Sequence, residues 1–354
     1  MSKGVRVLYL CDFNLSRFSG KDRATRQKLS ALRSKVSEFY LVSDESKSFF
    51  SRCFSIFFLD IKAAMVLLRC KPNVFISRGY CGFIGILVAK LMSVITIREV
   101  HANAIEEAHL LPYHGLKLLL IKWLARWAHM LDLWVDVRIF NHPDLLSYYE
   151  DKKWTKKNDF YTYNGFDADS KSCIVKKDAR IKFGIPLDAK VIVFVGAASK
   201  WHGVDYLVNL KRCFDEHKDN VEVVFGGGNI CQFDPDNICV NISPLDDNGC
   251  AELIRSSDLC ALPVKNNRVS PGSPLKLYDY IVNERFVLAQ SCTNGYSDEV
   301  ERLGVGVAVD FSCPEAARLD ILQALTFFES KEYPECAVSW DDRVDIWLRK
   351  IDSL

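Results

Sequence analysis

Lys200, His202, Lys276 and Asp279 stand beside turns rich in glycine, proline and small residues, a setting that can hold a negatively charged leaving group. Four stretches of the second half carry this chemistry in order. Phe194-Val-Gly-Ala-Ala-Ser-Lys-Trp-His-Gly-Val-Asp205 reads as a strand, a small-residue loop and the start of a helix. Such a loop leaves backbone N–H groups unpaired at a helix N-terminus, where a phosphate is favoured. Val223-Val-Phe-Gly-Gly-Gly-Asn229 ends a second strand in a glycine turn, and Ser257-Asp-Leu-Cys-Ala-Leu-Pro263 is a third strand closed by proline. Ser270-Pro-Gly-Ser-Pro-Leu-Lys-Leu-Tyr-Asp-Tyr280 is a turn feeding a helix, followed by the strand Phe286-Val-Leu-Ala289. Glycine after a strand is common in any α/β protein, so the information lies in the order of the four.

In that order they resemble the donor-binding half of GT-B glycosyltransferases of the retaining glycosyltransferase family 4 type. That family has a Gly-rich loop ending in a basic-Gly pair, then strand–Gly–x–Gly, then Ala/Ser-Asp–strand–Pro. Its last motif is Pro-x-Lys-x-x-Glu-Tyr before a strand, which Pro274-Leu-Lys276-Leu-Tyr-Asp279-Tyr280 resembles. Asn164-Gly-Phe-Asp167 is similar to the family's entry to the second domain, and Arg98-Glu-Val-His101 to its strand-end histidine. Val338-Ser-Trp340 before a last helix is similar to its C-terminal tail. The departures are local. Pro271 stands where many members have a first glutamate and Asp279 where they have the second; Ala197 and His202 replace the usual Arg and Lys, with Lys200 nearby.

The resemblance implies a nucleotide-sugar donor held by Gly20, Gly196, Lys200, His202, Ser273, Pro274, Leu275, Lys276 and Asp279. Lys200 and Lys276 would stabilise the departing diphosphate, as leaving-group charge requires when no metal does so. A protonated His202 would assist, Asp279 would accept from ribose hydroxyls, and His101 would sit near the transferring sugar as the third catalytic candidate. Gly20, with Ser19, would mark where the phosphates approach the first domain. The acceptor implied is a glycan or lipid-linked molecule of cell-surface polysaccharide or glycolipid synthesis, with retention of configuration. Plainer readings stand beside these. Lys200 and His202 also fit a solvated loop, Lys276 and Asp279 an i, i+3 pair on a helix face, and His101 a satisfied strand end.

Positioning such groups requires two doubly wound domains. β-rich runs alternate with helical patterns: Val5–Leu10, Phe39–Val42, Val74–Ser77, Val94–Glu99, Val137–Asn141 and Asp159–Tyr163, then Val191–Val195, Val221–Phe225, Ile238–Ile242, Leu259–Leu262, Phe286–Ala289 and Gly306–Val309. Alternation of this kind predicts parallel sheets covered by helices on both faces. Loop signals between Asn164 and Lys190 divide the chain. The expected fold is α/β GT-B, with two facing Rossmann-like domains: an acceptor domain over residues 1–165, a donor domain over 166–335, and a helix over 336–354 crossing back. Ligands of such sheets bind beyond the carboxyl ends of the strands, which puts the expected site in the inter-domain cleft.

Composition narrows the alternatives. A net charge of +1 argues against nucleic acid, and 49% hydrophobic with 26% charged residues is a globular balance. The thirteen cysteines form no paired framework and read as reduced, structural thiols in the cytoplasm. No His/Cys/Asp/Glu cluster shows ligand spacing, so no metal is expected; the nucleotide sugar is a co-substrate. No signal peptide is read at the N-terminus, and Gly79–Ile97, interrupted by Lys90, reads as a buried helix and strand. Residues 48–69 and 116–134 mix Phe, Trp and Leu with cations, among them Lys117, Lys122 and Arg126. They fit either an anionic membrane surface on the cytosolic face or helices packed on the first sheet. Two rival functions remain, a GT-B nucleotide-sugar epimerase and a non-catalytic subunit that positions a partner transferase. A dehydrogenase is disfavoured because no GxGxxG follows the first strand.

Overall fold

The computed structural model describes residues 4–16, 20–45, 49–110, 114–198, 201–265, 273–291, 296–336 and 338–354, without the side chains of 49–54 and 110. Two compact units result. Unit 1 holds the described residues up to Asn164, with Ser273 and Trp340–Leu354; unit 2 holds the rest.

Unit 1 runs β1 (Arg6–Cys11), α1 (Gly20–Lys35), β2 (Glu38–Ser43), α2 (Phe49–Cys70), β3 (Val74–Arg78), α3 (Phe83–Leu91), β4 (Ile95–Val100), α4 (Ala104–Leu110), α5 (Gly115–Trp134), β5 (Val137–Phe140), α6 (Pro143–Asp151) and β6 (Phe160–Tyr161). Its sheet has the order β2-β1-β3-β4-β5-β6, with every pairing parallel. Both faces are covered, which is why β1 and β3 are near-continuous apolar runs. Leu8, Leu10 and Phe75 face α2, α3 and α5 through Leu59, Leu67, Ile86 and Leu131.

Unit 2 runs α7 (Lys176–Phe183), β7 (Lys190–Gly196), α8 (Val204–Glu216), β8 (Val221–Gly227), β9 (Val240–Ile242), α9 (Asp247–Ser256), β10 (Leu259–Leu262), α10 (Leu275–Val282), β11 (Val287–Gln290), α11 (Ser297–Arg302), β12 (Gly306–Val309) and α12 (Pro314–Glu329). Its parallel sheet has the order β12-β11-β10-β7-β8-β9. Asp258 anchors two strand starts: its carboxylate accepts from Val191 N at 2.6 Å and pairs with Arg180 at 2.7 Å. The Asp of the Ser-Asp–strand–Pro stretch is thus a structural residue, at the end of the strand away from the glycine loops.

The last helix, α13 (Trp340–Asp352), belongs to unit 1. Trp340, Val344, Trp347 and Leu348 join the core made by Val7, Tyr9, Leu32 and Ile97. Trp347 Nε1 donates to Thr162 Oγ1 at 2.7 Å and Arg343 Nε to the Asn164 carbonyl at 3.0 Å.

The segment read as a buried helix and strand is α3 followed by β4. Among the described residues no helix is long and apolar enough to cross a membrane. The two aromatic, cationic segments are the helices α2 and α5. One face packs on the sheet, while Phe57, Phe58, Leu68, Leu116, Leu119, Trp123 and Trp134 stay exposed.

Candidate functional site

In unit 2 the carboxyl ends of β7, β8 and β10 and the start of α10 converge. Gly196 ends β7 at φ +129°, and a Cβ there would lie 2.4 Å from Lys276 Cε. The positive φ, which L side chains rarely adopt, favours glycine here, and the Lys276 stem crosses at this point. Gly228 has a similar duty: a Cβ there would lie 2.7 Å from the Gly196 carbonyl oxygen and 2.9 Å from Ala198 N. The loop after β8 therefore lies directly on the loop after β7. Gly203, at φ +61°, caps α8 against Pro263. Lys265 N donates to the Trp201 carbonyl at 3.0 Å, and Lys265 Nζ pairs with Asp205 at 2.7 Å. Tyr280 ties the group from below, its hydroxyl accepting from Val195 N at 3.2 Å and donating to the Ala261 carbonyl at 3.1 Å.

Lys276 and His202 share one platform. The ammonium of Lys276 lies 4.5 Å over the Phe194 ring, and His202 meets the same ring at 6.0 Å. His202 also lies 3.8 Å from Trp201, centroid to centroid. Burial pulls the Lys276 ammonium down to about 7, against the opposing charge of Asp279 one turn along α10. Neither α8 nor α10 has a side-chain hydrogen bond at its N-cap, Gly203 and Pro274 respectively. A helix start without a side-chain cap and an ammonium in its first turn, as at α10, are groups that can hold a phosphate or diphosphate.

Unit 1 carries a second cluster at the end of β4. Glu99 is fully buried, accepts from Tyr9 OH at 2.7 Å and pairs with Lys28 of α1. Arg78 lies 3.8 Å away and donates to Thr25 at 2.9 Å. Burial would raise the Glu99 carboxyl, but Lys28, the His101 hydrogen bond and Arg78 outweigh it and hold it well below the usual carboxylate range. His101 Nε2 lies 3.0 Å from Glu99 Oε2. Burial and then the Arg78 charge push this imidazole down to about 3, despite Glu99. His101 is therefore neutral at physiological pH, donating from Nε2 and offering Nδ1 as an acceptor. Arg98 orients the strand from the other side, donating to Asp132 of α5 at 2.7 Å and to the Cys81 carbonyl at 2.9 Å.

The sequence-predicted residues divide accordingly. Gly196, His202, Pro274, Leu275, Lys276 and Asp279 lie together in unit 2. His101 lies in unit 1, and so does Gly20, at the first residue of α1 with open space where a Cβ would stand. The Ser273 carbonyl is taken by Asn164 Nδ2 at 2.8 Å. Lys200, Ser19 and Pro271 fall outside the described residues. Sequence reasoning missed Lys28, Arg78, Glu99 and the Phe194 platform. Glu99 had a signal, since residues i and i+2 of a strand share a face with His101. The structure also brings together Cys213, His217 and Glu315, a cluster of metal-ligand type away from these loops. A cavity of about 380 Å³ lined by Lys176, Lys190, Arg255, Arg285, Phe286 and Tyr333 opens at the amino ends of the unit 2 strands, the edge where such sheets do not bind their ligands.

No known family profile matches this sequence, and no curated protein sequence does. Solved structures do match. Anabaena Alr3699/HepE in complex with UDP superposes with a TM-score of 0.67 at 13% identity, over 99% of this chain and 100% of that one. The fold is GT-B. WaaG, a glycosyltransferase involved in lipopolysaccharide biosynthesis, matches at TM-score 0.63 and 13% identity, over 96% of this chain and 99% of that one. A putative UDP-N-acetylglucosamine 2-epimerase from Listeria monocytogenes matches at 0.59 and 11%, over 99% and 96%. At such identities the likeness speaks for the GT-B architecture alone, and the chemistry rests on the residues described.

Proposed function

We propose that this GT-B protein is a glycosyltransferase that takes a nucleotide-sugar donor in unit 2 and transfers the sugar to a glycan or lipid-linked acceptor with retention. The observation that carries the reading is the Lys276 ammonium, in the first turn of α10, drawn across Gly196 at the end of β7. A nucleoside diphosphate leaving group develops negative charge there, and a preorganised cation with uncapped N–H groups stabilises it without solvent rearrangement. The described part of the loop after β7 adds His202, and Asp279 is placed one turn from Lys276 to meet ribose hydroxyls. His101 serves the sugar as a neutral acceptor. The likeness to a UDP complex and to a lipopolysaccharide enzyme supports this class of donor and acceptor.

The likeness to an epimerase favours a second reading, an epimerase on the same fold. His101 weighs against it, because its imidazole is tied through Nε2 to Glu99 and burial favours its neutral form, which disfavours proton donation. Incubation with a panel of nucleotide sugars separates the readings. Release of free nucleoside diphosphate, with sugar passing to an acceptor or water, is expected. Conversion to an epimeric nucleotide sugar would reverse the assignment, and no turnover would point to a positioning subunit.

The Lys276 titration has a sign that can be tested. A bound diphosphate favours the ammonium, so affinity is full below about pH 7 and falls as pH rises through that value. Calorimetry at pH 8 in buffers of different ionisation enthalpy should register proton uptake on nucleotide binding. A pH-independent affinity with no proton uptake would separate Lys276 from the diphosphate.

The exposed outer faces of α2 and α5 support a lipid-linked acceptor at an anionic membrane. Arg126 is exposed and Lys117 and Lys122 are half-buried beside Leu116, Leu119 and Trp123. Binding to vesicles containing phosphatidylserine should weaken with salt and fall further when all three cations become serine, at about 1 kcal/mol per charge. Equal binding to neutral vesicles would leave only the apolar face as its cause.

A further inference from the structure

Away from the donor loops, α8 and α12 bring three groups of metal-ligand chemistry to one point. Cys213 and His217 are four residues apart at the end of α8, so their side chains leave on one face. Glu315 arrives from the first turn of α12. Cys213 Sγ, a His217 ring nitrogen and a Glu315 carboxylate oxygen all lie within 4.8 Å of one another. The tautomer follows from the backbone. His217 Nδ1 lies 2.9 Å from the Cys213 carbonyl oxygen, which can only accept, so Nδ1 carries a proton. In the neutral ring the lone pair is then on Nε2, and Nε2 faces Glu315 Oε2 at 3.7 Å. A divalent ion bound by Nε2 and the carboxylate would bridge this gap, as would a proton on Nε2. Histidines that bind metals have this same arrangement, with the other ring N–H donated to a carbonyl.

We propose that Cys213, His217 and Glu315 bind a zinc-type divalent cation that clamps α8 to α12, with water completing the coordination. Thiolate, imidazole and carboxylate together suit zinc, whereas magnesium and calcium take oxygen ligands. Separations under 4.8 Å need only small side-chain turns to meet bonds of about 2.0–2.3 Å to one ion. The balance is simple. The Cys213 thiol gives its proton to solvent as the sulfur–metal bond forms, and the ion stays divalent. Burial, then the hydrogen bond and charge of Glu315, hold this thiol at about 11 in the metal-free protein, with Arg318 opposing and Glu216 adding to them, so proton release accompanies binding at neutral pH. Arg318 does not compete for the carboxylate, because Asp219 holds it at 3.1 Å. The site is structural. α8 has 13 residues, about 20 Å of helix, and the cluster lies at the end opposite Gly203 and the donor loop.

The test is titration of chelator-treated full-length protein with cobalt(II), then zinc. One equivalent of cobalt should give the near-ultraviolet thiolate-to-cobalt band, which zinc bleaches while raising the thermal unfolding midpoint. The band should vanish in Cys213→Ala, and the zinc-dependent rise should be lost in His217→Gln and Glu315→Gln, whose exposed positions tolerate the change. Nucleotide binding should be the same in all three variants, which keeps this site distinct from the proposed donor site. Absence of the thiolate band, or a zinc effect equal in every variant, would mean adventitious binding only and overturn the proposal.

Discussion

Replacing Lys276 by methionine is expected to cost about 1.5–3 kcal/mol of nucleotide-sugar binding, the loss for a charge-assisted contact to a diphosphate, while leaving the fold intact. Methionine keeps the stem that crosses Gly196 and removes only the ammonium. Since burial already holds that ammonium near 7, its removal relieves a desolvation cost, and the variant should be as stable as the parent or more so. Loss of nucleotide affinity without loss of stability separates a binding lysine from an i, i+3 partner of Asp279 on a helix face. Asp279→Ala should weaken binding as well. Unchanged kinetics in both variants would remove unit 2's loops from the donor site.

The second large effect is expected in unit 1. Lys28 and Glu99 are each about 1% exposed, and Trp340 and Trp347 of α13 lie over Lys28 at 5.9 and 5.2 Å. Breaking such a pair strands a buried carboxylate, at a cost of about 3–5 kcal/mol. Arg78 and His101 still face Glu99, so Lys28→Met should fall near the lower end, about 3 kcal/mol by urea unfolding. Adding Glu99→Gln should recover part of the loss, because it removes the stranded charge. A single-variant loss below about 1 kcal/mol would mean that the cluster is more solvated than its burial implies.

These two sites were legible to different depths. The strands were readable because parallel sheets covered on both faces demand unbroken apolar runs, such as Val191–Val195 and Val74–Ser77. The glycines of the loops after β7 and β8 were readable for a related reason. Gly196 has a positive φ that L side chains rarely adopt, and at Gly228 backbone comes so close that no side chain fits; both constraints leave a mark in sequence. The Glu99 cluster left little trace. A glutamate in a strand looks like a solvent-facing residue until its partners are known, and Lys28 comes from α1, two strands away in the chain. Asp258 carried no assigned role in the sequence, and its carboxylate anchors Val191 and Arg180. The aromatic helices α2 and α5 pack one face on the first sheet and leave apolar side chains on the other exposed. Cys213 and His217 had helical spacing in plain view, but Glu315 joins them only through the packing of α12 on α8.

The central claim, a nucleotide-sugar site built on Gly196 and Lys276, is tested most directly by thermal unfolding with a panel of nucleoside diphosphates and their sugars. A ligand that binds only the native state stabilises it by about 2.7 kcal/mol at a hundredfold excess over Kd. The account predicts that one nucleotide base raises the unfolding midpoint of the parent protein, and that the rise disappears in Lys276→Met. No rise with any nucleotide, or an equal rise in both proteins, would contradict it.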